Sequence, residues 1–207
     1  MRQSRGPLRT WSRARRHATP PHRGPRAQLA RFASVQTVRV PTNAVTLLPR
    51  EIEADPSHGA IRAQLAAVCR PLWQGGKASA SVLPLRPPLA TALRAAHVDG
   101  HLVLGLERAE EALAAEARGL DFAARRATSK AGARVSRLLL LSEDGAERLY
   151  RHVERLAFLH APRVLVLVLS AGAATLGRAT TGRDAPVKVV LVQRKRAVAA
   201  LLRALVA

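Results

Sequence analysis

The stretch that most constrains this chain is residues 135–160, VSRLLLLSEDGAERLYRHVERLAFLH, which reads as a buried strand, a tight turn and an amphipathic helix in direct succession. The apolar run 138–141 is far too short to cross a bilayer, and it stops at Glu143, Asp144 and Gly145, which carry turn and helix-start chemistry. Beyond them Leu149, Val153, Leu156 and Ala157 share one helical face, while Arg148, Arg151 and Arg155 share the other. The acidic start predicts capping and dipole compensation of this helix in preference to a catalytic acid cluster. Two further strand–helix units follow. The runs 163–169 and 187–192 are apolar without alternation, as central strands covered on both faces are, and a last helix is expected over 194–206. Residues 134–207 thus read βαβαβα.

Upstream of this unit, residues 89–97 read as a helix, Asp99-Gly100 as a turn, and 101–104 as a short strand ending at Gly105. A helix over 106–118 follows, with Gly119 placed to stop it. From Arg118 to Arg137 there are six basic residues against one acid, Asp121, without clean periodicity, which predicts an exposed insertion. Residues 51–86 are nearly balanced in charge; Ile61, Leu65 and Val68 suggest a short helix ending near Pro71, followed by a Gly75-Gly76 loop. Pro84, Pro87 and Pro88 read as a linker. Residues 1–50 hold eleven Arg and no acid, the composition of a basic, poorly ordered arm. An organellar transit peptide has the same composition, whereas the apolar core of a secretory signal is missing. The expected organisation is therefore an arm or the start of a small degenerate domain over 1–50. The remainder of that domain and a linker cover 51–86, and an α/β domain covers 87–207.

A formal net charge of +20 favours phosphate polymers or anionic membranes through long-range attraction and counterion release. Of the 34 basic residues all but Lys77, Lys130, Lys188 and Lys195 are Arg, which suits bidentate phosphate contacts, although a GC-rich genome produces the same skew. The single cysteine, Cys69, excludes a disulfide framework and a cysteine-based zinc site, and points to a reducing compartment.

The order helix, GHLVLG, helix, LLLLSEDG, helix, VLVLVLS, TLGRATTG, VKVVLV, helix resembles the kink-turn RNA-binding ribosomal protein superfamily, of L-seven-Ae and L-thirty-e type, over residues 89–207. The resemblance implies a three-layer α/β/α sandwich over a mixed four-stranded sheet. It also implies RNA contacts at three places: the start of the helix after the first strand, the loop after the second, and the loop before the fourth helix. Here these positions are Gly105 to Glu111, which includes Arg108, then Glu143 and Asp144, and Ser170 to Ala174, which includes Ala171 and Gly172. Gly105 allows close backbone approach, and helix starts offer free N–H groups to phosphate. The chain departs from the family in the first segment, where Leu106, Glu107, Arg108, Ala109, Glu110 and Glu111 replace polar Asn/Glu-type residues and a Lys. The front half more faintly resembles the small bacterial YlxR-type domain, through GPLRTWSRARR at 6–16, Ala54-Asp55-Pro56-Ser57 and Val68-Cys69, without that family's opening cysteines or its GRGA segment.

Rival sites are weaker. Residues 172–179 have the GxxxxG spacing of a phosphate loop, but Arg178 and Ala179 stand where Lys and a hydroxyl belong. The seven histidines form no metal-binding or general-base pattern, and base stacking by Trp11 and Trp73 is not expected in a chain with 3% aromatic residues. The basic run adds Arg125, Arg126 and Lys130 as candidate phosphate contacts. The sequence therefore points to a bacterial, cytoplasmic, non-enzymatic RNA-binding protein without cofactor or metal. Its partner would be structured RNA, with non-specific nucleic acid held by the arm and no membrane contact. Two alternatives stay open: a protein-interaction module on the same fold, and a nucleotide-dependent enzyme using the Gly172 loop.

Overall fold

A computed structural model describes residues 47–126 and 133–207. The sheet is built on β5 (Val164–Leu169), six residues of alternating Val and Leu, all buried. Its neighbour β4 (Arg137–Ser142) runs parallel to it, with Leu139 opposite Val166 and Leu141 opposite Val168. The period of two divides these apolar runs between the two faces. Leu138, Leu140, Leu165, Leu167 and Leu169 enter one core, and Leu139, Leu141, Val164, Val166 and Val168 enter the other.

On the second of these faces lie α4 (Leu106–Arg126), through Ala109 and Leu113, and α5 (Glu147–Leu159), through Tyr150, Val153 and Ala157. The opposite face carries α1 (Arg50–Glu53), α2 (His58–Ala67), α3 (Pro87–Val98), α6 (Ala173–Thr181) and α7 (Lys195–Arg203). Helices on both faces of one sheet make three layers, as the sequence implies. Arg148, Arg151 and Arg155 of α5 are exposed, and Val153, Leu156 and Ala157 are buried, so the helical periodicity reads through directly.

The sheet has six strands where four were expected, in the order β1 (Cys69–Pro71), β2 (Ser79–Leu83), β5, β4, β6 (Val189–Val192), β3 (Leu102–Leu104). Within it β6 is antiparallel to β4, and β3 is antiparallel to β6. The two extra strands, β1 and β2, form a hairpin whose second strand runs parallel to β5. The sequence of β2, SASVL, is small-sided and flanked by Gly and Pro, so it lacks the bulky β-branched signal of a central strand. Its small side chains fit because Ala80 and Ser81 are fully buried, with the Ser81 hydroxyl donating to the Leu65 carbonyl of α2.

Residues 51–86, expected as a separate domain and linker, therefore share the sheet and core of the α/β unit. Leu48, Ile52, Ile61 and Leu65 pack in the same cluster as Leu138 and Leu167. The YlxR-like landmarks fall at the α1–α2 turn and the start of β1, and the 6–16 motif lies outside the described residues. Most of the basic arm lies outside them too; of its described residues, Leu48 and Pro49 are buried and Leu47 and Arg50 are exposed. Gly119 does not stop α4. A Cβ there would meet nothing, so it is an exposed mid-helix glycine, and the helix continues through half of the expected insertion. Among the described residues no helix is long and apolar enough to cross a membrane.

Candidate nucleic-acid interface

The parallel strands β2, β4 and β5, together with β3, end at the same side of the sheet, and the loops leaving them are tied together by the backbone. Gly105 N–H donates to Val189 O (2.9 Å), Ser142 N–H to Lys188 O (3.0 Å), Glu143 N–H to Ala171 O (3.1 Å) and Ser170 N–H to Leu83 O (2.8 Å). This topology brings Gly105, Arg108, Glu143, Asp144, Ser170, Ala171 and Gly172 to one end of the molecule. Gly105 has φ +94°, and a Cβ on it would meet no atom within 4 Å. Side chains are therefore excluded there by backbone conformation, and the peptide lies open to a ligand. The first N–H groups of α4, which begins at the next residue, have no intrahelical acceptor.

Two expected contacts have other employment. Asp144 Oδ2 accepts the Ala173 N–H (2.9 Å), so Asp144 caps α6, whereas α5, which the acidic cluster was expected to cap, starts at Ala146 without a side-chain cap. The Asp144 carboxyl is held below its ordinary range, first by the neighbouring Ser142 hydroxyl, then by the Ala173 N–H, with partial burial opposing. That hydroxyl is buried and falls short of a full hydrogen bond with any partner. Ala171 is 8% exposed and contributes only backbone. The loop after β4 is pinned from below, where Tyr150 OH donates to Ser142 O (2.9 Å) and accepts from Gly145 N–H (3.1 Å).

Charge at this end is mixed. Arg86, Arg108 and Lys188 are exposed, and so are Glu107, Glu111 and Glu143. Beside it an open groove of about 600 Å³ runs past Arg70, Trp73, Glu143 and Tyr150. Trp73 is not free to stack on a base: its indole N–H donates to Glu154 Oε2 (2.8 Å), and Arg151 lies over its ring at 4.5 Å. Trp11 lies outside the described residues.

No protein-family model matches the chain, and no curated protein matches it. Among solved structures it is similar to the Giardia lamblia 15.5kD RNA binding protein, at 17% identity and a TM-score of 0.38, over 57% of this chain and 84% of that one.

The remaining expected residues lie elsewhere. Arg125 and Arg126 close α4, whose 21 residues span about 30 Å, so they sit at the opposite end of the sheet from Gly105. The Arg126 guanidinium covers the Phe122 ring at 4.3 Å, and Lys130 lies outside the described residues. The Gly172–Gly177 spacing is not a phosphate loop. Gly172 is the residue before α6 and Gly177 is inside it, where a Cβ would come within 1.8 Å of Ala185 O; the glycine is there for close packing. Arg178 pairs with Asp184 (2.6 Å). Among the described residues no group of three or more His, Cys, Asp or Glu is placed to hold a metal.

Sequence reasoning missed a second gathering of charge around the strand starts, where Arg50, Arg134, Arg137, Arg163, Arg194 and Lys195 come together from four separate segments. The available signal was modest: Arg137, Arg163 and Arg194-Lys195 each flank a strand on the side away from Gly105.

Proposed function

We propose that the chain is a non-enzymatic RNA-binding protein that meets structured RNA with the strand-end surface formed by Gly105, Arg108, Glu143, Ser170 and Gly172. The basic residues 1–46 supply sequence-independent affinity. The observation that carries the reading is the convergence, in a chain of net charge +20, of an open positive-φ glycine, the helix start that follows it and exposed Arg108 and Lys188 at one end of the sheet. A polyanion can approach the backbone closely there and find both N–H donors and cations. The finer form of the proposal is a bacterial, cytoplasmic protein of kink-turn-binding type, associated with ribosomal or other structured RNA. Arg125, Arg126 and Lys130 would be peripheral phosphate contacts.

Glu111→Lys restores the cation that the family resemblance calls for, on an exposed helical position. A kinked RNA should gain more affinity from it than an unkinked RNA of equal length. Equal gains would reduce the effect to plain charge attraction. The exposed Glu107, Glu111 and Glu143 favour a second reading, a protein-interaction surface, and no gain for either RNA selects it.

A further inference from the structure

We propose that the basin at the strand starts, around Arg50, Arg134, Arg163 and Lys195, is a second RNA-binding surface that takes the phosphodiester backbone. It is separate from the Gly105 end, and it rests on the RNA-binding reading for the identity of its ligand. The basin is a concavity of about 480 Å³ in which these four cations share the wall with one carboxylate, Glu51. Glu51 already accepts from Arg203 (3.0 Å). Behind the wall, Glu116 serves two guanidiniums, Arg163 and Arg137, and Glu53 serves both Arg134 and Arg62. Arg50, Arg194, Lys195 and Arg196 are exposed, and none of the ion pairs among the described residues includes them. Crowding of like charge registers on half-buried Arg137, whose pKa is lowered by burial first and by Arg163 and Arg194 in addition, with Glu116 opposing.

The chain's own neighbouring segments cannot neutralise this surplus. Residues 1–46 join the described chain at Leu47, whose carbonyl accepts Val135 N–H (2.9 Å) at the basin's edge, and they contain ten Arg and no acid. Residues 127–132, which connect Arg126 to the basin's Arg134 side, add Lys130 and no acid. Arg194, Lys195 and Arg196 also stand at the start of α7, whose first turn has no acid, so they oppose the helix dipole. A local arrangement that works against folding is expected where a ligand repays it. Guanidiniums from several segments facing one concavity match a chain of phosphates, and each contact releases counterions.

The test uses the full chain and a single-stranded RNA oligonucleotide, with affinity measured by fluorescence anisotropy across a series of KCl concentrations. In the basin variant Arg50, Arg194 and Lys195 are all changed to Gln. In the comparison variant Arg148, Arg155 and Arg183 are changed to Gln, an equal charge loss at exposed positions that belong to neither surface. The basin variant should lose about two units of log–log salt slope, at about 0.7 per phosphate contact, and lose more affinity than the comparison variant. Its thermal midpoint should hold or rise, since cations leave a helix start. Equal losses in the two variants would reduce the basin to a share of net charge and overturn the proposal. An unchanged slope in the basin variant, with wild-type RNA binding intact, overturns the basin alone. Wild-type protein that binds phosphatidylserine vesicles and no RNA overturns both this proposal and the function it rests on.

Discussion

Glu154 is the buried group whose removal tests the architecture most sharply. It is 9% exposed on α5, and it collects the β1–β2 hairpin by accepting from Trp73 Nε1 (2.8 Å), Lys77 N (2.5 Å) and Ala78 N (2.6 Å). In Glu154→Ala the Ala78 N–H, the most buried of the three donors, loses its acceptor at about 1–3 kcal/mol. The other two donors lie nearer water and lose about 0.5–1 kcal/mol each. The total, about 2–5 kcal/mol, corresponds to a fall in Tm of about 4–20 °C for a domain of this size. Glu154→Gln keeps one oxygen on the two backbone donors but turns an N–H toward the indole N–H. It should therefore cost about half as much, with Trp73 as the part released. Calorimetry gives the first quantity, and Trp73 fluorescence in a Trp11→Phe background gives the second. The reasoning fails if both variants unfold within about 0.5 kcal/mol of the parent, the range of an ordinary surface change.

Three other outcomes follow from single features. Asp55 is held down to about 2, first by the Ser57 hydroxyl and then by the Arg203 guanidinium and the Ser57 N–H. A carboxylate depressed in the folded state stabilises above its unfolded pKa, so this contribution should fade as pH falls from about 4 to 2, and Asp55→Asn should remove that part of an acid-unfolding profile. Gly177→Ala should destabilise by about 1–3 kcal/mol in urea unfolding, because the clash with Ala185 O outweighs the roughly 1 kcal/mol gained in helix propensity; a stabilised variant would return the glycine to a ligand-binding role. Deleting residues 1–46 should weaken binding to any RNA and flatten its salt dependence. The deletion must stop before Leu48 and Pro49, which are buried.

The α/β class and the order of elements after residue 86 were legible because their signals are local. VLVLVL and LLLLS are strand runs of the right length, and Val153, Leu156 and Ala157 repeat at helical spacing. What was lost was decided at a distance. β2 is a strand because α2, through the Ser81–Leu65 hydrogen bond, and the edge of β5 enclose small side chains that carry little signal of their own. Gly119 reads as a stop signal, yet Glu116 before it and Leu120 after it pack at the strand starts, and tertiary packing carries the helix through. Asp144 was assigned to the helix that follows it in sequence and serves the one that neighbours it in space. At the site, the glycine with positive φ and the loop order could be read from the chain; which donors were already taken could not.

The distribution of arginine separates the two explanations of the net charge. A codon bias spreads arginine wherever it is tolerated, so it predicts exposed guanidiniums all round, each partnered as chance allows. The described structure departs from this. At the strand tips Arg108 and Lys188 share the surface with Glu107, Glu111 and Glu143, whereas at the strand starts two carboxylates, Glu53 and Glu116, are each divided between two guanidiniums and further cations stand beside them. Three of the surplus cations sit at the start of α7, where each costs about 0.3–1 kcal/mol against the helix dipole, and where Ser or Asp would be the stabilising choice. The penalty falls beside carboxylates that are already divided between guanidiniums. A phosphate chain seated in the basin would recover it, because it neutralises the cations at that helix start.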